Sequence, residues 1–303
     1  MNEAFRQQSA LLLKCLPFVA EETCFGLKGG TAINFFIQDL PRLSVDIDLA
    51  YVPIQTRNQS LKQIDEAMAR IALRIRESLP EASITSTRLP KEDAVVKLFV
   101  RTAETQIKIE VTPVLRGCVF EPENRAVSPA VEDMFGYAEI QILSVADLYA
   151  GKFVAALDRQ HPRDLFDVRE FLSASELDEQ LRAAFIIYMV SHNRPMSEVL
   201  RPTLKDISKE YERGFSGMTT EPVPLEALLE ARDRLISILV DNMPETHRQF
   251  LISFEEGAPK WELLGLAGAE KLPAVLWRQQ NLDKLNADQR FGLVEELKKA
   301  LFS

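Results

Sequence analysis

Two long stretches repeat apolar residues at helical spacing. Residues 5–23 read as one amphipathic helix, and residues 58–78 as another, with Leu61, Ile64, Met68, Ile71 and Ile75 on its apolar stripe. Elsewhere the period shortens to two. VDIDLAYV (45–52), AVVKLFVR (94–101) and TQIKIEVTPV (105–114) read as strands. The short TAE between the last two predicts a hairpin, with Ile107, Ile109 and Val111 on one face and Lys108, Glu110 and Thr112 on the other. Residues 24–28 form a short entry to a Gly29-Gly30 turn, and 31–38 a short helix begun by Thr31. An irregular stretch, 115–138, leads to a strand EIQIL and then to Ser144, placed to cap a helix over 145–157. From residue 165 nearly everything reads helical, with breaks at Pro195, Pro202, 214–224, Pro244 and 257–259. The pattern predicts an α/β (α+β) domain with a short mixed sheet over 1–170, followed by a helical C-terminal domain over 171–303.

Composition narrows the class. A chain of 303 residues with 46% hydrophobic and 27% charged residues can bury a substantial core. No apolar run approaches the ~20 residues of a membrane-spanning helix, and the N-terminus lacks the basic region of a signal peptide. Cys15, Cys24 and Cys118 are scattered and odd in number, which fits reduced thiols in the cytoplasm and neither a zinc site nor a disulfide scaffold. Three distant histidines leave little for a Ser-His-Asp arrangement. The net charge of -9 argues against a protein that coats nucleic acid. Residues 1–120, however, hold 15 Lys/Arg against 14 Asp/Glu, so a polyanion would be met by a local patch.

The chemistry concentrates in GGTAINFFIQDLPRLSVDIDL (29–49). Asp46 and Asp48 are i and i+2 on a strand, so their carboxylates share a face while Val45 and Ile47 enter the core. Paired hard oxygens suit Mg²⁺, which takes one or two carboxylates and completes its shell with substrate phosphates. The alternative is the polar face of an edge strand. Gly29-Gly30-Thr31 opens a helix, where backbone N–H groups and a hydroxyl can meet a phosphate. Glu110, on the polar face of a strand able to pair beside VDIDL, is a candidate third carboxylate. It is otherwise an ion-pair partner for Lys97, Lys108 or Arg101. Lys152, mid-helix beside Phe153 and Val154, either reaches a triphosphate or snorkels off a buried face. DRQHPRDLFDV then supplies Arg159, Arg163, Asp164 and Asp167. The two aspartates share a helix face, either supporting a site or complementing the helix dipole.

With these residues in view, LKGGTAINFFIQDLPRLSVDIDL resembles the first motif of the AbiEii/AbiGii toxin family of nucleotidyltransferases, the MenT-like branch of the polymerase-β-type superfamily. LSVADLYAGKFVAALDRQHPRDLFDV is similar to that family's helix with a central Lys and its following Arg-Asp-x-x-Asp. The resemblance covers about residues 25–170. Thr31 stands where many members have Ser, and Arg163 where many have Lys.

The resemblance implies a polymerase-β-like domain and metal-dependent transfer of a nucleoside monophosphate from an NTP to an acceptor hydroxyl. The acceptor it suggests is the 3′ end of tRNA, with inhibition of translation and growth, as in abortive infection and phage defence. Asp46, Asp48 and Glu110 would hold Mg²⁺ or Mn²⁺, and with Lys152 and Asp164 make the catalytic set. Lys28, Gly29, Gly30, Thr31, Arg42, Ser44, Lys152, Arg163 and Asp167 would bind the nucleotide. An antitoxin encoded nearby is the expected protein partner. Basic stripes at Lys205, Lys209 and Arg213, or at Arg70, Arg74 and Arg76, are candidate RNA contacts; interleaved acids make a solvated salt-bridged face the simpler account. The C-terminal helices, with Trp261 and Trp277, serve as core packing by default. Nucleotide transfer onto a protein hydroxyl and a silent nucleotide-binding module are the alternatives.

Overall fold

The computed structural model describes residues 1–302. Contacts divide the chain into two compact units, Met1–Ser144 with Ser216–Pro222, and a second that begins with Val145–Phe215 and resumes at Val223.

In the first unit, α1 (Glu3–Ala20) is capped by the Asn2 side chain, which accepts from the Ala4 N–H. It leads to β1 (Phe25–Lys28), then to α2 (Gly29–Ala32), which widens into a π turn over Ile33–Ile37. Next come β2 (Asp46–Tyr51), α3 (Arg57–Ser78), β3 (Ser83–Arg88), β4 (Val95–Arg101) and β5 (Gln106–Thr112), and then β6 (Glu123–Ala126), α4 (Pro129–Phe135) and β7 (Glu139–Ile142). The seven strands make one mixed sheet in the order β3-β4-β5-β2-β1-β7-β6, with β2 parallel to β5 and β1 parallel to β7. The hairpin expected from 94–114 is β4–β5, and its faces divide as the alternation predicts. Ile47, Leu49, Leu98, Val100, Ile107 and Ile109 are buried on the face where α1 and α3 pack.

Four elements lie outside the sequence expectation. FGLK is too short for a period to show, and it becomes a central strand because it pairs with both β2 and β7. SITSTR and ENRA, at the two sheet edges, carry mostly polar residues and have no apolar face to announce them. Pro129–Phe135 is a helix inside the stretch read as irregular, begun by a proline at its first position.

The second unit is helical: α5 (Val145–Arg159), α6 (Pro162–Ala174), α7 (Glu179–Val190), α8 (Met196–Leu200), α9 (Ser208–Gly214), α10 (Leu225–Ile236), α11 (Glu245–Glu255), α12 (Pro273–Asp283) and α13 (Ala287–Phe302). Tyr149, Phe153 and Phe171 pack as an aromatic cluster between α5 and α6. Residue 170, the end of the catalytic domain in the sequence expectation, lies inside α6.

Candidate active site

The face of the sheet opposite the core carries charge in register. Parallel pairing sets Asp48 beside Glu110 and Asp46 beside Lys108; antiparallel pairing sets Lys28 beside Asp48 and Lys97 beside Glu110. Lys28, Asp48, Glu110 and Lys97 therefore form one row across four strands, with neighbouring strands ~4.8 Å apart. All four side chains are half-buried.

Glu110 sits between two lysines, 3.0 Å from Lys97 Nζ and 2.8 Å from Lys108 Nζ. The ion pair offered by the sequence as its alternative is thus formed, whereas Arg101 turns to Gln106 Oε1. Burial pushes the Glu110 carboxyl up, but hydrogen bonds from Lys108 and Lys97 outweigh it and hold the group below the usual carboxylate range. Burial likewise pushes Lys108 down, and its bond to Glu110 and the charges of Asp46 and Asp48 overcome this, raising it. Lys108 is the built-in counter-cation of three carboxylates. The sequence held a signal for it, since Lys108 and Glu110 alternate onto one strand face; Lys97, also named there as a partner, reaches Glu110 through the pairing of β4 with β5.

The two glycines have separate reasons. Gly29 adopts φ +75°, and a Cβ there would stand 2.8 Å from Asp48 Oδ2. A Cβ on Gly30 would stand 2.6 Å from Arg42 Nη2. The missing side chains make room for a carboxylate and a guanidinium. Arg42 is buried, donates from Nη1 to Leu43 O, and its backbone bridges Thr219 in the returning segment Ser216–Pro222. Thr31 is also buried: its hydroxyl bonds Asp46 O and lies 2.8 Å from Ser44 Oγ, while Ser9 Oγ donates to Ser44 O. These hydroxyls fix the start of α2 to the start of β2, so Gly29 and Asp48 keep their spacing. Gly29→Ala combines the left-handed penalty with a clash on Asp48. It should cost about 1–3 kcal/mol by thermal unfolding and displace the carboxylate.

In the second unit, α5 presents Lys152 to α6. Its Nζ lies 2.8 Å from both Asp164 Oδ1 and Asp167 Oδ2, and Arg159 Nη2 lies 2.9 Å from Asp164 Oδ2. The Lys152 and Asp164 side chains are 6% and 5% exposed, and Asp167 is fully buried. Lys152 does not snorkel; its charge is met inside. The i, i+3 spacing of the aspartates brings both onto it, and α6 starts at Pro162, with His161 Nδ1 accepting from the Arg163 N–H. Burial alone would raise the Asp164 carboxyl, but Lys152 and Arg159 pull it down to about 2. Arg159, which the sequence placed near the cluster without a role, is its outer partner.

A family model described as the nucleotidyl transferase AbiEii toxin of a type IV toxin–antitoxin system matches residues 11–278. The chain belongs to the AbiEii family. The fold is that of MenT4, a nucleotidyltransferase toxin from Mycobacterium tuberculosis H37Rv: the TM-score is 0.61 at 15% identity, over 93% of this chain and 95% of that one. No curated protein matches the sequence. This AbiEii protein is a nucleotidyltransferase toxin of a type IV system.

Nucleotidyltransferases of this kind use an NTP and a divalent metal ion. Asp46 and Asp48 suit such an ion by their chemistry: two adjacent hard-oxygen donors on one strand, with Asp48 seated where Gly29 has no Cβ. Among the described residues, no three His, Cys, Asp or Glu side chains gather into a metal cage. Substrate oxygens would have to complete the shell.

Lys205 of one basic stripe of the AbiEii chain, and Arg70 and Arg74 of the other, have other employment. Lys205 precedes α9 instead of lying on it, and its Nζ caps the end of α5 through Asp158 O and Arg159 O. Arg70 and Arg74 both clamp the buried Glu22 carboxylate, Arg70 at 2.7 Å from Oε2 and Arg74 at 2.7 Å from Oε1. Trp261 packs on Phe250 and Phe254, while Trp277 is exposed. No helix among the described residues is long and apolar enough to cross a membrane.

Proposed function

We propose that this enzyme moves a nucleoside monophosphate from an NTP onto the 3′ end of tRNA in the cytoplasm, blocking translation and growth unless a cognate antitoxin opposes it. The reading rests on one observation above all: strand register sets Asp48 beside Glu110 and on the same strand face as Asp46, with Asp48 against the Gly29 turn.

Asp46 and Asp48 would hold Mg²⁺ or Mn²⁺, which would supply positive charge to the α-phosphate and to the leaving pyrophosphate. Backbone N–H groups at Gly29 and Gly30 meet the phosphates, with Lys28 beside them. Thr31, Ser44 and Arg42 position that turn. The acceptor 3′-oxygen attacks the α-phosphorus, the bond between α-phosphorus and bridging oxygen breaks, and pyrophosphate departs. The hydroxyl proton passes to Glu110, which Lys97 and Lys108 hold ionised and so able to accept it.

Purified protein with Mg²⁺, labelled NTPs and total tRNA should yield RNA labelled at its 3′ ends. Label confined to the protein fraction would replace the RNA acceptor with a protein hydroxyl. No incorporation into either would remove the proposal.

A further inference from the structure

One side chain on the polar face of the sheet is out of keeping with its neighbours. In β4, Leu98 and Val100 enter the core, so Lys97, Phe99 and Arg101 point to the face that carries the carboxylates. Phe99 is half-buried there, paired in register with Lys108 on one side and with Thr85 of the edge strand β3 on the other. Among the described residues its ring stacks on no other aromatic ring. Three cations surround it: Lys97 and Arg101 two residues away on the same strand, and Lys108 opposite. Beyond lies the edge strand, whose Ser83, Thr85 and Thr87 are all exposed and alternate onto this face.

The order across the sheet gives this patch a meaning. The glycine turn follows β1 on one side of the carboxylate strands, and β4 and β3 lie on the other. If triphosphate enters at the glycines, the acceptor has the β4–β3 side. We propose that this side is the acceptor track: a single-stranded RNA 3′ end lies across β3 and β4, its terminal base stacked on Phe99 and its phosphates met by Lys97 and Arg101. The inference rests on the nucleotide-transfer reading and names the surface and the residue that select its acceptor. A stacking ring, flanking cations and hydroxyl donors are what a single strand requires, because every base has a π-face and every nucleotide a negative charge. A duplex has no exposed base face to offer. Distance agrees: Phe99 and Asp46 are two strand steps apart, about 10 Å, which is on the scale of one nucleotide from base to 3′-oxygen. Phe99 acts here as a positioning residue for the acceptor.

The test uses the full chain and a short fluorescein-labelled oligoribonucleotide with a free 3′-hydroxyl. Phe99→Ala should weaken binding by about tenfold or more and raise the KM for the oligonucleotide by a similar factor. The KM for NTP should stay unchanged. Phe99→Trp, which keeps a stacking face, should restore both values. Unchanged oligonucleotide binding and KM in Phe99→Ala, with wild type still labelling RNA, would overturn the track and leave nucleotide transfer intact. Equal loss in the Ala and Trp variants, with lowered thermal stability, would also overturn it by reducing Phe99 to a packing residue. Label found only in protein would overturn the RNA track. An absence of transfer by wild type to any acceptor would strike the underlying reading instead.

Discussion

Asp48→Asn should reduce nucleotide transfer by at least about a hundredfold, the scale at which even groups that merely support metal ligands matter. Expression of this variant should no longer arrest bacterial growth, whereas the wild type should. Asn keeps the shape that packs against Gly29, where a Cβ would stand 2.8 Å from Asp48 Oδ2. It removes the negative charge that a divalent ion needs. Asp48 is half-buried on the polar face, so the thermal transition should shift little. Activity and stability therefore separate in this variant. Retained transfer by Asp48→Asn would sink the assignment of the carboxylate face as the reaction centre.

Lys152→Met should act in the opposite sense, on stability first. It leaves Asp164 and Asp167 facing each other in a buried site without the ammonium 2.8 Å from each. Removing one partner of a buried ion pair costs about 3–5 kcal/mol, because the remaining charge is left uncompensated. At ~2–4 °C per kcal/mol for a body of this size, the melting temperature should fall by about 6–20 °C. Adding Asp167→Leu should recover part of this loss, since Asp164 still has Arg159 at 2.9 Å. Acid offers an independent readout. The folded Asp164 carboxyl lies at about 2, below its ordinary value of 3.8. Its contribution to stability is therefore present above pH ~4 and is lost as pH falls towards 2. Lys152→Met should flatten that acid limb of the stability profile measured by denaturant melts. A variant that melts like wild type yet transfers no nucleotide would move Lys152 from structural support to the chemistry.

The legible parts of this protein are those fixed by local spacing. Period two across 105–114 separates Ile107, Ile109 and Val111 from Lys108 and Glu110, and the strand shows that division. The same rule puts Asp46 and Asp48 on one face before any partner strand is known. Polar edge strands such as SITSTR escape notice because nothing about them is amphipathic; their pairing with β4 makes them strands. Gly29-Gly30 was legible as a turn but not as two clearances, because Asp48 and Arg42 reach those glycines from 19 and 12 residues away. The salt-bridged reading of Arg70 and Arg74 fits the structure, but their partner is not legible, for a related reason. Helical spacing says that Arg70 and Arg74 share a side, but not that Glu22 lies there to receive both.

By itself, then, the sequence determined which residue types stand at which spacing: a glycine turn, a carboxylate pair, a hairpin with a polar face, and a lysine followed by two aspartates. Those features depend on backbone geometry over a few residues, and sequence spacing encodes it. Only the tertiary structure decided that Glu110 lies opposite Asp48 in the clasp of Lys97 and Lys108, and that Lys152 is buried between Asp164 and Asp167. Such pairings depend on strand order and helix packing, set by the burial of side chains distant in the chain, and no local period records them.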